Sequence, residues 1–372
     1  MTEGKAVPFS LAFLACLCLA FGPPSLTERD AGGMRIAPAQ MEALLALQAP
    51  PTLLAEAALL GDETTGQVLW EKNAHEPRAV ASTTKIMTAL ITLERAPLDE
   101  EVVVSATAAH TGGNMVGLTP RERLSVRELL YGLLLNSGND VATALAEHVA
   151  GTTAAFADLM NAKAQTLGMA HTHFVNPHGL DTEGHFSSAY DLWLLAREAM
   201  KNPTFREIVA TPSWTSGART YVNLNLLLTT YPGADGIKTG TSDWAGECLV
   251  ASATRRGHRL IAVVLHSPDR YRDTTTLLDW GFATHDWVPV RLQGRALNQF
   301  LLAGRECRLA LPAGAREVLL PRWAAPLARP FRFVTPSAEG GPAAEWRLYF
   351  GDTPWLREPL AARCEAEQRR TP

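Results

Sequence analysis

Lysine is scarce in this 372-residue chain, with only six, so a lysine that stands inside a motif carries information. Cysteine is scarce too: five occur, none spaced Cys-x-x-Cys, which excludes a zinc ribbon. A surplus of positive charge is missing, since 34 basic against 38 acidic residues leaves a net charge of −4. That balance argues against nucleic acid as the main partner. The apolar run Phe9–Phe21 is 13 residues long, too short to span a bilayer comfortably. No internal repeat is present. His171-Thr172-His173 is followed by no carboxylate at helical spacing, and Glu147-His148 is not His-Glu-x-x-His, so neither a metal site nor a cofactor is expected. What remains is ample material for a core, with 47% apolar and 19% charged residues. The length suits two domains.

The apolar run, preceded by Lys5 and broken by Gly22-Pro23-Pro24, reads as a signal peptide over 1–20, with a linker over 21–52. The export it implies fits the sparse cysteines: Cys248 sits in an apolar run as a core thiol, while Cys307 and Cys364 share one segment and are candidates to pair. An ordered body begins near Leu53. A hairpin is expected over Ala57–Trp70, and then the apolar period becomes helical from Ser82 to Leu93. Ser125 and Glu128 form a capping-box pattern, and Asp140 is the expected cap of a helix Val141–Val149. Helices are also predicted over Thr153–Leu167, Ser188–Lys201 and Arg270–Phe282, and strands over Gly236–Gly240, Glu247–Ala253 and Arg259–His266. Strands, then helices, then strands imply an α/β domain over 53–286, with an antiparallel sheet sandwiched by helices. Residues 287–372 read as a small β-rich domain closing on a short helix, Trp355–Cys364. From Trp287 onward 13 basic and 8 acidic residues give +5, while Pro51–Asp286 gives 18 − 26 = −8. A basic tail of this kind suits peripheral contact with an anionic wall or membrane surface.

Three short motifs follow in order. Ser82-Thr83-Thr84-Lys85 opens a predicted helix, Ser137-Gly138-Asn139 lies between two helices, and Lys238-Thr239-Gly240 lies on a strand. Two of the six lysines fall inside them. A serine hydroxyl needs an adjacent base to act as a nucleophile, and residues three apart on a helix share a face, so Lys85 can reach Ser82. Lys85 accepts a proton only if burial and a nearby positive charge lower its pKa. Lys238, delivered from an edge strand, is the candidate for that charge and for holding a substrate carboxylate. Ser137 can relay a proton to a leaving amine, and the Asn139 amide can hold Lys85 or the substrate backbone. The N–H groups of Ser82 and Thr241 are the expected oxyanion donors.

The longer strings around these motifs resemble the D-alanyl-D-alanine carboxypeptidases, low-molecular-mass penicillin-binding proteins. The matching segments are Glu71–Arg78, Ala81–Ala89, Asn136–Asp140, Phe174–Asp181 and Asp235–Gly240. Val141 departs from the family's usual alanine. The resemblance implies a mixed sheet between helices and release of the terminal D-alanine from peptidoglycan stem peptides ending in D-Ala-D-Ala, through a Ser82 acyl-enzyme. It also implies β-lactam antibiotics as covalent inhibitors. On this reading Ser82, Lys85, Ser137 and Asn139 are catalytic, and Lys238, Thr239, Gly240 and Thr241 bind substrate. The alternatives are a serine β-lactamase, a D,D-endopeptidase or transpeptidase, and an inactive wall-binding scaffold. The first lacks a Glu-x-x-Leu-Asn string between Asn139 and Lys238 to activate the deacylating water. His178, Trp214 and Trp244 are candidates to border the cleft, although packing roles are favoured for all three.

Overall fold

The runs Cys248–Ala253 and Leu260–Leu265 are apolar at almost every position, a pattern for strands covered on both faces. The computed structural model, which describes residues 48–289, 299–302, 305–310, 317–324, 329–335, 343–350 and 353–364, places them at the centre of a sheet. The expected signal peptide and most of the expected linker lie outside the described residues. The chain divides into two units, one of Pro50–Gly281 and the other taking Phe282 onward together with the residues before Pro50.

In the first unit the elements are β1 (Ala57–Asp62), β2 (Val68–Lys72), a 3-10 turn (Ala81–Thr84), α1 (Lys85–Arg95), β3 (Glu101–Val103), α2 (Ala106–Ala109), β4 (Arg123–Ser125), α3 (Val126–Leu134), α4 (Asn139–Ala150), α5 (Thr153–Leu167), α6 (Ala189–Ala199), α7 (Pro203–Val209), β5 (Ser213–Ser216), β6 (Arg219–Val222), α8 (Leu227–Thr230), β7 (Ala234–Ser242), β8 (Gly246–Arg255), β9 (His258–Ser267) and most of α9 (Arg270–Thr284). The main sheet is antiparallel in the order β2-β1-β9-β8-β7, so the first strands pair with the last and β7 is an edge. Helices cover both faces. A Cβ on Gly61 would stand 2.5 Å from the Trp193 indole of α6, and one on Gly281 of α9 would stand 2.6 Å from Leu60. Those two neighbours in β1, Leu60 and Gly61, point to opposite faces as strand alternation requires. Arg256 (φ 53°) and Gly257 (φ 85°) make the two-residue turn between β8 and β9, the left-handed pair that suits strand twist.

Side-chain caps start the helices where the pattern predicts. Ser125, Thr152 and Ser188 each accept a bond from the N–H three residues on. The capping box is only half realised, because the Glu128 carboxylate accepts bonds from Ser216 and Tyr221 instead of returning to Ser125. Asp140 is not a cap. Gly138 holds that position, and Asp140, in the first turn of α4, accepts bonds from the backbone N–H groups of Val116, Gly117 and Leu118.

The second unit is β-rich. Strand β10 (His285–Pro289) pairs with β13 (Glu317–Pro321); β11 (Gln299–Leu302), β12 (Arg305–Ala310), β14 (Arg329–Thr335), β15 (Ala343–Phe350) and β16 (Thr353–Cys364) form a sheet ordered β11-β12-β16-β15-β14. The helix expected over Trp355–Cys364 is therefore a strand: Pro359 inside it would cost a helix a hydrogen bond and clash with the preceding turn. Cys307 is disulfide-bonded and lies opposite Cys364 in the β12–β16 register. Cys248 is free and buried.

Candidate active site

Ser82 stands on the 3-10 turn, one residue after Ala81, which takes φ 46°. Lys85 begins α1 and is fully buried. Its Nζ lies 2.8 Å from Ser82 Oγ, 2.8 Å from Asn139 Oδ1 and 2.7 Å from the His178 carbonyl oxygen. Asn139 Nδ2 donates to the Gly112 carbonyl at 2.9 Å, which fixes the amide with its oxygen toward Lys85. The consequence is chemical. A neutral amine has two N–H bonds and one lone pair; two of its three neighbours are carbonyl oxygens that can only accept. They take the two N–H bonds, and the lone pair is left for the Ser82 hydroxyl. Burial, then Lys238, hold the Lys85 pKa well below the usual lysine value, against an opposing pull from Asp140.

The junction of loop and α4 carries Ser137 at φ 64°, 4% exposed, and Asn139, the first residue of the helix, at 3%. It is anchored from outside. The Asn139 N–H donates to the Asn114 carbonyl at 2.7 Å, and Asn114 Nδ2 donates to the Ser137 carbonyl at 3.2 Å. The Asp140 bonds to the 116–118 backbone tie the same loop to the same segment.

Strand β7 closes the other side. Lys238 is 1% exposed, Nζ donating to the Thr239 carbonyl at 3.1 Å, and burial with Arg270 lowers its pKa to about 7. Gly240 lies against the nucleophile turn: a Cβ there would meet Val80 O at 3.0 Å and the Ser82 and Thr83 nitrogens at 3.2 Å. Arg270 Nη1 donates to the Gly240 carbonyl at 3.0 Å and to Thr241 Oγ1 at 2.8 Å. Thus all three motifs meet, with Lys85 in direct contact with two of them and Lys238 on the strand packed against the third side.

Three participants carry no signal in the motifs. His178 enters through its backbone carbonyl, which any residue type could supply. Its ring and that of His185 are kept neutral, with burial as the main cause of pKa values of about 3 and about 4. His185 Nδ1 accepts the Val175 N–H, so its proton sits on Nε2 and faces Thr84 Oγ1 at 2.9 Å. Gly179 (φ 86°) lies so close to the nucleophile turn that a Cβ would be 1.9 Å from Ala81 O. Arg270 comes from α9, 188 positions beyond Ser82. Of the other candidates, Trp214 stacks on Tyr131 with centroids 4.1 Å apart, a packing role. Trp244 is 59% exposed. His173 Nδ1 lies 2.7 Å from the Gly184 carbonyl, and the His171 ring packs edge-on against His75.

Comparison with known proteins places these features in company. A family model described as D-alanyl-D-alanine carboxypeptidase, peptidase S11, matches residues 45–269. The D-alanyl-D-alanine carboxypeptidase DacF of Bacillus subtilis is 35% identical over 294 residues, 76% of this chain and 72% of that one. DacC of Escherichia coli is 36% identical over 290 residues, covering 73% and 72%. Among solved structures, penicillin-binding protein 6B of E. coli aligns with a TM-score of 0.69 at 33% identity, over 83% of this chain and 96% of that one. The Streptomyces K15 DD-transpeptidase aligns at 0.61 and 35%, over 63% and 99%.

Proposed function

Since the chain belongs to the D-alanyl-D-alanine carboxypeptidase family, we propose that Ser82, Lys85, Ser137, Asn139 and Lys238 carry out serine-type D,D-carboxypeptidase chemistry in it. The observation that carries this reading is the Lys85 amine, whose two carbonyl acceptors leave its lone pair for Ser82. Lys85 takes the Ser82 proton as Oγ attacks the carbonyl carbon of the penultimate D-alanine. The N–H groups of Ser82 and Thr241 receive the developing oxyanion. Ser137 passes a proton to the departing D-alanine amine, and Lys238, with Thr239, Gly240 and Thr241, holds the terminal carboxylate. Water then hydrolyses the ester. The substrate is a peptidoglycan stem peptide ending in D-Ala-D-Ala, which places the enzyme outside the cytoplasm. The basic residues after Trp287 position the body at the wall or membrane surface.

A β-lactam reproduces the D-Ala-D-Ala amide, but its leaving amine stays tethered and obstructs water. Benzylpenicillin is therefore expected to leave an adduct, on the peptide containing Ser82, that lasts on the order of minutes or longer and blocks D-alanine release. Mass spectrometry of intact and digested protein, then assay with a D-Ala-D-Ala peptide, checks this. An adduct that survives in Ser82→Ala would misplace the nucleophile, and an unmodified protein that releases no D-alanine would leave only the scaffold.

Lys238 predicts a pH response. Its ammonium form, which binds a carboxylate, predominates below its pKa of about 7 and is lost above it. In free enzyme kcat/KM should therefore fall as pH rises through about 7. Lys238→Arg, which cannot lose its proton, should abolish that alkaline limb even if the overall rate drops. An unchanged limb in the variant would assign it to another group.

A further inference from the structure

Trp244 has the largest exposure, 59%, among the large apolar side chains that stand open to solvent in the described residues, and it is the one aromatic among them. Its backbone is held firmly. The Trp244 N–H donates to Asp181 Oδ2 at 3.0 Å, Ser242 Oγ donates to Asp181 Oδ1 at 2.7 Å, and the Ala245 N–H donates to Ser242 Oγ at 3.2 Å. Asp181 lies two residues after Gly179, which presses on the nucleophile turn, and three after His178, whose carbonyl holds Lys85. The turn that presents Trp244 is thus fixed to the frame of the catalytic groups.

Strand direction says which part of a substrate would come near it. The two cationic groups, Lys238 and Arg270, lie at the part of β7 around residues 238–241. A peptide lying antiparallel along that edge, with its terminal carboxylate toward Lys238, runs its upstream residues toward Ser242 and the turn. Three residues lie between Gly240, beside the Ser82 nitrogen, and Trp244: strand rise carries the chain about 7 Å from Gly240 to Ser242, where β7 ends, and Trp244 stands in the turn just beyond. That is the reach of the residues just upstream of the scissile bond, or of an acylamido side chain on a β-lactam ring. Met115, also exposed at 43%, lies two residues beyond Gly113, which neighbours Leu180.

We propose that Trp244 is a specificity-determining residue: its indole is an apolar platform for the acyl portion of the substrate, selecting donors that carry an aromatic or long aliphatic group upstream of the bond that Ser82 attacks. This rests on the serine D,D-carboxypeptidase reading above. The role requires no new bond-making step. It acts on the second-order acylation constant through binding.

The test compares benzylpenicillin, which bears a phenylacetamido chain, with 6-aminopenicillanic acid, which bears none, on wild-type, Trp244→Ala and Trp244→Phe. Acylation of wild-type protein by both compounds tests the catalytic reading itself. The Trp244 inference is tested by their ratio. In Trp244→Ala the acylation constant for benzylpenicillin should fall about five- to tenfold, the factor that one aromatic contact supplies, while that for 6-aminopenicillanic acid stays within about twofold. Trp244→Phe should recover most of the loss. Equal losses for both compounds would make Trp244 a structural support of the turn, and no loss for either would leave it without a role in recognition; both outcomes overturn the proposal.

Discussion

Lys85→Arg is expected to lower the acylation rate of Ser82 by roughly two to four orders of magnitude, the range of a lost general base. The charge is kept, but a guanidinium does not deprotonate near neutral pH, and it has no lone pair to offer the hydroxyl. Size adds to the effect, because Lys85 is wholly buried and its nitrogen already touches three oxygens. Stopped-flow acylation by a chromogenic cephalosporin measures the rate, and a thermal melt separates chemistry from misfolding. A folded variant that acylates at the wild-type rate would remove Lys85 from the role of base.

Gly179→Ala should have the next largest effect. At φ 86° the added methyl is strained in its own backbone, and it would stand 1.9 Å from the Ala81 carbonyl oxygen. Neither side gives easily, since both are backbone. The Pro177-His178-Gly179 segment must therefore move away from the nucleophile turn, taking the His178 carbonyl from Lys85 Nζ. The amine then loses one of the two acceptors that orient it. A loss of about two orders of magnitude in kcat/KM is expected, with destabilisation of about 2–4 kcal/mol from strain and overpacking together. Urea unfolding and steady-state kinetics on a D-Ala-D-Ala peptide check both parts. Wild-type kinetics in this variant would show that the loop gives the base no support.

Residues whose type is dictated by chemistry were readable in the sequence. Ser82 and Lys85 must be three apart to share a helical face, and Lys238 announces itself because lysine is rare. The continuous apolar runs of β8 and β9 likewise identify central strands without any knowledge of their partners. What stayed hidden are contributions that leave no mark on residue identity. His178 stands among the candidates to border the cleft, yet it serves through a carbonyl that its side chain does not advertise; Gly179 acts through the lack of an atom that matters only once Ala81 is known to lie against it, and Arg270 comes from a helix far along the chain. Asp140 has the composition of a cap and a different use, because the backbone at Val116–Leu118 offers it three N–H groups. At Trp355–Cys364 the proline inside the segment outweighed its helical look. The strand pairs with β12 and β15, and no local pattern in the segment reports those neighbours.

An edge strand is ordinarily an invitation to a second chain. Here the invitation is mostly withdrawn by the protein's own residues. Asn225 Nδ2 donates to the Gly236 carbonyl at 2.9 Å, and Arg270 Nη1 donates to the Gly240 carbonyl at 3.0 Å. Past Gly240 the strand has only Thr241 and Ser242 left before it bends. So short a ledge can lodge a peptide group or two of a passing guest, yet it is too brief to template a ladder with another protein. The side chains that satisfy its carbonyls, Asn225 and Arg270, are also what keeps the sheet from growing.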